Sequence, residues 1–172
     1  MIIVDKGSCP QHMEYSKPKK QTTLCLVYNH PEILLGMKKR GFGEGRWNGF
    51  GGKVKEDETI EEATVREMRE ECGLEISEME KVGVLEFDAD HFKEIIIVHV
   101  FRVDKFSGDL VESEEMKPQW FRIDDIPFTD MWTDDPYWMP LLLQGKKFKG
   151  RFLFREDESV ENYDLIQVDN LL

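Results

Sequence analysis

Cysteine is scarce in this 172-residue chain: Cys9, Cys25 and Cys72 are the whole complement. An odd number without paired spacing excludes the disulfide framework of a small secreted domain. The one Cys-x-x-His spacing, Cys9 to His12, stands in a polar segment without further zinc ligands. Long apolar runs are also missing. The best, Ile95 to Phe101, is broken by His99 and falls far short of the roughly 20 residues that span a bilayer. The N-terminus lacks a lysine-led apolar stretch with a small-residue cleavage site, and Asp5 and Glu14 argue against a transit peptide. Secretion and obligatory import are disfavoured; a reducing cytoplasmic setting is expected, with the nucleus and mitochondrial matrix also compatible. Positive charge is in deficit: 23 Lys and Arg against 35 Asp and Glu leave a net charge of −12, which disfavours docking to a nucleic-acid polymer or an anionic membrane face. A P-loop is excluded, because Lys53 is followed by Val54 and the required upstream glycine position holds Trp47. Internal repeats are absent too, and the length fits one domain, expected to be monomeric.

What the chain does have is ordered. Residues 1–21 carry Pro10, Pro18 and the basic cluster Lys17, Lys19 and Lys20 and read as a flexible extension; residues 22–172 read as the folded domain. Strands are expected over 22–28, 33–38, 82–87, 95–103, 119–123, 148–154 and 163–168. A helix over about 136–144 is expected to follow Asp135 as N-cap, with Pro136 at its first position and Gly145 as its stop. Gly36 to Lys55 holds seven glycines and six Lys or Arg against the single acid Glu44, whereas Glu56 to Glu80 holds eleven acids and two arginines.

Within the acidic stretch, Thr59 and Glu62 form a capping box and Gly73 a stop, which predicts a helix over about 60–72. On a wheel of about 100° per residue, Glu67 and Glu71 lie within about 20° of the apolar Ile60, Glu70 lies at the border of that arc, and Arg66 and Arg69 point toward solvent. Carboxylates turned to a core are costly unless paired or bound to metal. Three that can converge from one helix face suit a hard divalent cation, Mg²⁺ or Mn²⁺. The glycine loop lets a backbone carbonyl, that of Gly51, approach the same ion, while nearby lysines meet phosphate charge. Together these groups suit hydrolysis of a phosphoanhydride.

The spacing Gly52-x5-Glu58-x7-Arg66-Glu67-Met68-x-Glu70-Glu71-x-Gly73-Leu74 is identified as the signature of the Nudix hydrolase family. The resemblance implies an α/β (α+β) fold in which a mixed β-sheet is sandwiched between helices, α/β/α. It implies catalytic roles for Glu71, Glu67, Glu70 and Arg66, with Arg66 orienting a ligand glutamate by a bidentate pair and Glu58 supporting the metal site. Beyond the box, Leu35 to Gly43, Gly45 to Lys53, Val111 to Ser113, Glu115-Met116, Trp120-Phe121, Ile126 to Phe128, Asp130 to Trp132, Asp134-Asp135 and Tyr137-Trp138 resemble the MutT-homologue branch of that family, whose members hydrolyse oxidised purine nucleoside triphosphates such as 8-oxo-dGTP and 2-hydroxy-dATP, and methylated purine nucleotides, to monophosphate and pyrophosphate.

By that resemblance Asn48, Asp134 and Asp135 bind the base edge, Trp132 and Phe42 enclose the ring, and Thr23, Lys38, Phe50, Gly51, Gly52, Lys53 and Phe87 line the substrate site. Gly51, Glu67, Glu70, Glu71 and Glu115 form the metal set, and Glu71, Glu67 and Glu115 all remain candidates for the general base. A shared proton on Asp134 and Asp135 would accommodate both guanine-like and adenine-like edges, although the same pair could serve as a helix cap. Thr22, Ala89 and Ile96 depart from the branch, standing where it carries an aromatic, a large aromatic and a methionine. Two alternatives stand beside this reading: a pyrophosphohydrolase of a dinucleotide polyphosphate, inositol pyrophosphate or mRNA cap, and a catalytically silent binding protein, which the intact acids disfavour.

Overall fold

The structure is a computed structural model that describes residues 17–171. The expected extension lies outside the described residues as far as position 16, and so do Cys9 and His12. Its last residues are not an extension: β1 runs Lys19–Asn29, and Lys19, Lys20 and Gln21 pair in parallel register with Ile95, Ile96 and Ile97. The remaining elements are β2 (Glu32–Lys38), β3 (Trp47–Asn48), α1 (Ile60–Cys72), β4 (Glu75–Ala89), β5 (Ile95–Ser107), β6 (Met116–Arg122), α2 (Asp135–Leu143), β7 (Lys147–Phe154) and β8 (Val160–Val168).

They build one mixed sheet of eight strands in the order β3-β2-β1-β5-β4-β7-β8, with β6 pairing to β2. Alternation along the central strands sends successive side chains to opposite faces. Leu24 and Leu26 of β1, with Val98 and Val100 of β5, pack with Trp138, Met139 and Leu142 of α2. Cys25 and Val27, with Phe101 and Val103, pack with Met68 and Cys72 of α1. A helix therefore covers each face of the sheet, as the α/β/α expectation requires.

Helix α1 has the predicted bounds. The Thr59 side chain accepts a hydrogen bond from the Glu62 backbone N–H, the Glu62 carboxylate accepts one from Thr59 N–H, and Gly73 ends the helix at φ 78°, where a side chain would be strained. Its fully buried Met68 contributes about 2 kcal/mol through apolar burial.

One departure from regular pairing makes the site. β1 and β2 pair only from Val27–Leu34 to Asn29–Glu32 and then part. Into the fork runs segment 47–53: Trp47 and Asn48 pair with Met37 and Gly36 of β2, while Phe50 and Lys53 bridge to Cys25 and Thr22 of β1. Cys25 N–H donates to the Phe50 carbonyl at 2.6 Å, Phe50 N–H donates back at 2.9 Å, and Thr23 N–H donates to the Gly52 carbonyl at 2.9 Å. So close an approach needs glycine: a Cβ at Gly51 would overlap the Thr23 carbonyl. The wedge fixes the glycine loop against β1, directly across from α1.

Candidate active site

Helix α1 turns Glu71 into the protein, where it is 4% exposed. Gly51 N–H donates to Glu71 Oε2 at 2.9 Å. Burial pushes the Glu71 carboxyl up to about 8; the Gly51 hydrogen bond and Lys38 oppose the rise, while the charges of Glu67 and Glu115 add to it. The contact that the structure gives Gly51 toward this carboxylate is thus through its N–H rather than its carbonyl.

Arg66 does not face solvent, as the helical wheel suggests. Helical side chains lean toward the N-terminus, and this lean carries the guanidinium back over the residues ahead of α1. There Nε and Nη2 fork the Glu58 carboxylate at 2.9 and 2.6 Å, and Nη2 also donates to the Lys53 carbonyl at 3.2 Å. Nη1 donates to Glu67 Oε1 at 2.6 Å and to Glu70 Oε2 at 3.3 Å. The bidentate pair is made to Glu58, and Glu67 receives one bond. Hydrogen bonding from Arg66 holds the Glu58 carboxyl down at about 2, so it stays ionised as the anchor that orients Arg66.

Glu67, Glu70, Glu71 and Glu115 line one cavity of about 570 Å³ with Gly51, Gly52, Lys38, Arg40 and Lys53. Their donors are all oxygen, and a buried carboxylate with a raised pKa lacks countercharge, so the set fits a hard divalent cation. As they stand, no three His, Cys, Asp or Glu side chains among the described residues are gathered as a ligand cage. Each has a partner instead: Glu67 and Glu70 have Arg66, Glu71 has Gly51 N–H, and Glu115 lies 3.4 Å from both Lys38 Nζ and Arg40 Nη2.

A second cavity of about 750 Å³ adjoins the first, and Lys38, Arg40, Gly51, Gly52, Lys53, Glu71 and Glu115 line both. Thr23, Phe42, Asn48, Phe87, Trp132, Asp134 and Asp135 also line it. Phe50 is the exception among the expected substrate residues. It is 0% exposed in the α1-side core beside Met68 and Cys72, because strand alternation and its backbone pairing to Cys25 turn its ring away from the cavity.

Asp134 and Asp135, which line this cavity and not the first, are each 2% exposed. Trp138 Nε1–H donates to Asp134 Oδ2 at 2.9 Å, and Trp132 N–H donates to Asp135 Oδ2 at 3.1 Å. Neither acts as a side-chain cap of α2, which begins at Asp135. Burial raises both carboxyl pKa values, and the Asp134 charge raises Asp135 further. The raised values favour the protonated form, and a protonated carboxyl donates where its ionised neighbour accepts.

Asn48 accepts from Gly49 N–H through Oδ1 at 2.8 Å, so its turn role and its place in the cavity wall coexist. Phe42, 70% exposed, lies with its ring centroid 4.9 Å from that of Trp132. The two rings contact each other rather than flanking a gap. Sequence reasoning assigned no role to Arg46 or Glu158, which also line this cavity. Arg46 was visible as a cation beside Trp47-Asn48; Glu158, in the β7–β8 turn, carried no signal.

A fold of this order, with a glycine wedge facing a helix of inward carboxylates, defines a hydrolase class, and a NUDIX domain matches residues 18–142. The chain belongs to the Nudix family. It is 53% identical over 148 residues to the oxidized purine nucleoside triphosphate hydrolase of Mus musculus, covering 86% of this chain and 95% of that one. It is 49% identical over 152 residues to the protein of the same name from Danio rerio, covering 88% and 97%. Among solved structures, a MutT protein from Bacillus halodurans matches with a TM-score of 0.76 at 26% identity, covering 85% of this chain and 97% of that chain.

Proposed function

We propose that the protein hydrolyses oxidised purine nucleoside triphosphates, among them 8-oxo-dGTP and 2-hydroxy-dATP and also methylated purine nucleotides, to the nucleoside monophosphate and pyrophosphate, and so keeps them out of DNA. One observation carries this reading: a buried pair of neighbouring aspartates, both with carboxyl pKa values raised by burial, lines the same cavity as Glu71. Oxidation and tautomerism move hydrogens on a purine edge, and a proton that can reside on either Asp134 or Asp135 matches both patterns. The names of the mouse and zebrafish relatives support the same substrate class.

In this reading Trp132 walls the base, Asn48 contacts its edge, and Lys38 and Lys53, on the wall common to both cavities, meet the phosphates. Glu67, Glu70, Glu71 and Glu115, with Gly51, would hold Mg²⁺, or Mn²⁺ in its place. When bound, the metal supplies neutralisation of phosphate charge and activation of a water nucleophile. Arg66 keeps Glu67 oriented through its anchor on Glu58, and the Gly51 N–H keeps one oxygen of Glu71 fixed while the other stays free to accept a proton. The protein acts as a cytoplasmic monomer on small polyphosphates, its net charge of −12 disfavouring polymer docking.

The experiment is turnover of 8-oxo-dGTP, 2-hydroxy-dATP, dGTP and a diadenosine polyphosphate, with and without Mg²⁺, beside Glu71→Gln. The oxidised nucleotides should be preferred, with activity that needs the metal and is lost in the variant. Preference for the diadenosine substrate would replace this reading with the dinucleotide one, and full activity of Glu71→Gln would remove the metal assignment.

A further inference from the structure

Trp132 is braced from two loops that are distant in sequence. From the glycine loop, the Arg46 guanidinium carbon stands 4.1 Å from the centre of the Trp132 ring, and a Cβ at Gly43 would lie 3.0 Å from Trp132 Cζ2. From the β7–β8 turn, Glu158 Oε2 meets Arg46 Nη2 at 2.6 Å, and the Glu158 carbonyl accepts from Thr133 Oγ1, the neighbour of Trp132, at 2.7 Å. Glu158 has φ 65°, the one positive φ outside glycine among the described residues. A residue other than glycine, asparagine or aspartate holds that conformation only where its surroundings enforce it. Here the β7–β8 turn enforces it, with Arg155 N–H on the Ser159 carbonyl at 2.9 Å and Glu158 N–H on the Arg155 carbonyl at 3.0 Å, and so presents the Glu158 carboxylate to Arg46 and its carbonyl to Thr133.

We infer that Arg46 and Glu158 are positioning residues that clamp the Trp132 indole as a fixed wall of the base slot before substrate arrives, and so set the slot's affinity for the base. This rests on the proposed function insofar as Trp132 is the base wall. Two consequences follow from the geometry. A guanidinium over an indole face restrains the ring and polarises it, and ordering the wall in advance spares that loss of freedom on binding. Arg46 meets Lys38 only through its backbone carbonyl, which accepts from Lys38 N–H at 2.9 Å and is kept when the side chain is changed, so loss of the side-chain clamp weakens base binding and leaves the chemical step alone.

The test measures kcat and KM for 8-oxo-dGTP together with the affinity for 8-oxo-dGMP, which reports the slot without the polyphosphate. Arg46→Ala should weaken the monophosphate and raise KM by about tenfold, with kcat changed by less than about twofold. Arg46→Lys should recover most of the loss. Glu158→Gln should weaken binding by about threefold, and once Arg46 is alanine it should add nothing further. Far-UV circular dichroism identifies a variant that fails to fold, in which case Arg46→Lys and Glu158→Gln decide alone. Unchanged KM and monophosphate affinity in Arg46→Ala would overturn the clamp, as would a fall in kcat at constant KM or additive effects of the two changes. If the wild type prefers another nucleotide, the substrate reading falls, and the same comparison made with the monophosphate it releases still decides the clamp.

Discussion

Replacing Asp135 by asparagine should make the protein more stable as pH rises, a result that only a buried, proton-holding carboxyl produces. Asp135 and Asp134 are each 2% exposed, and burial raises both pKa values, with Asp134's charge raising Asp135 further. A carboxyl whose folded pKa lies above its unfolded value of 3.8 keeps its proton longer in the native state. The folded protein therefore binds more protons than the unfolded chain between those two values. Stability from this source is complete below pH 3.8 and is lost as pH climbs through the folded pKa. One proton held in excess changes stability by at most about 1.4 kcal/mol per pH unit, and the wild type loses this increment for as long as pH stays below the raised folded pKa of Asp135. The amide that Asp135→Asn introduces holds no titrating proton, and its oxygen can still accept from Trp132 N–H. Urea unfolding of both proteins at pH 5 and pH 7 measures the effect, because titrating groups remote from the pair cancel in the difference while Asp134, which titrates with Asp135, is read together with it. The advantage of Asp135→Asn should grow from pH 5 to pH 7, by at most about 1.4 kcal/mol per pH unit. A difference that stays constant with pH, or that moves the other way, would refute the shared-proton account of the base slot.

Three further outcomes follow. Arg66→Lys keeps the charge but loses the fork on Glu58, so kcat should fall by about 10- to 100-fold with the fold retained; an unchanged kcat would mean that Glu67 needs no orienting partner. Phe50→Leu should cost about 1.5 kcal/mol in chemical denaturation and leave KM unchanged, because Phe50 belongs to the α1-side core; a changed KM would return it to the substrate wall. His99, with Nε2 2.7 Å from Gln21 Oε1, is pushed down to about 4 by burial, with Lys81 adding to the fall. Its folded state binds fewer protons than the unfolded chain, so its contribution is present above pH 6.5 and lost on acidification toward pH 4. Stability of His99→Gln should depend less steeply on pH across that window, and parallel curves would show that His99 is not buried neutral.

Much of the site was legible because it is local. The capping box at Thr59, the stop at Gly73 and the arc holding Glu67 and Glu71 depend on residues within one helix, and α1 has the expected bounds. The strands were legible only where they are apolar. β4 begins at Glu75 and β5 continues to Ser107 because strand-to-strand hydrogen bonds extend beyond the buried positions, through the exposed and polar Glu78 and Lys105. The same reason carries β1 back to Lys19. Arg66 escaped the helical wheel because its partner, Glu58, precedes the helix and a long side chain can reach it. Phe50 looked like a loop residue near substrate until the pairing of segment 47–53 with β1 fixed which way its ring points. The pairing of Arg46 with Glu158 could not be read at all, since it joins two loops that only the folded sheet brings together.

Competition between nucleotides decides whether the slot selects oxidised bases. With equimolar 8-oxo-dGTP and dGTP, both well below KM and with Mg²⁺ present, the two monophosphates and the released phosphate species are quantified from one reaction. A slot built on the Asp134–Asp135 pair should yield 8-oxo-dGMP at least about tenfold faster than dGMP, with pyrophosphate as the co-product. Equal consumption of the two nucleotides, or release of inorganic phosphate in place of pyrophosphate, would contradict it.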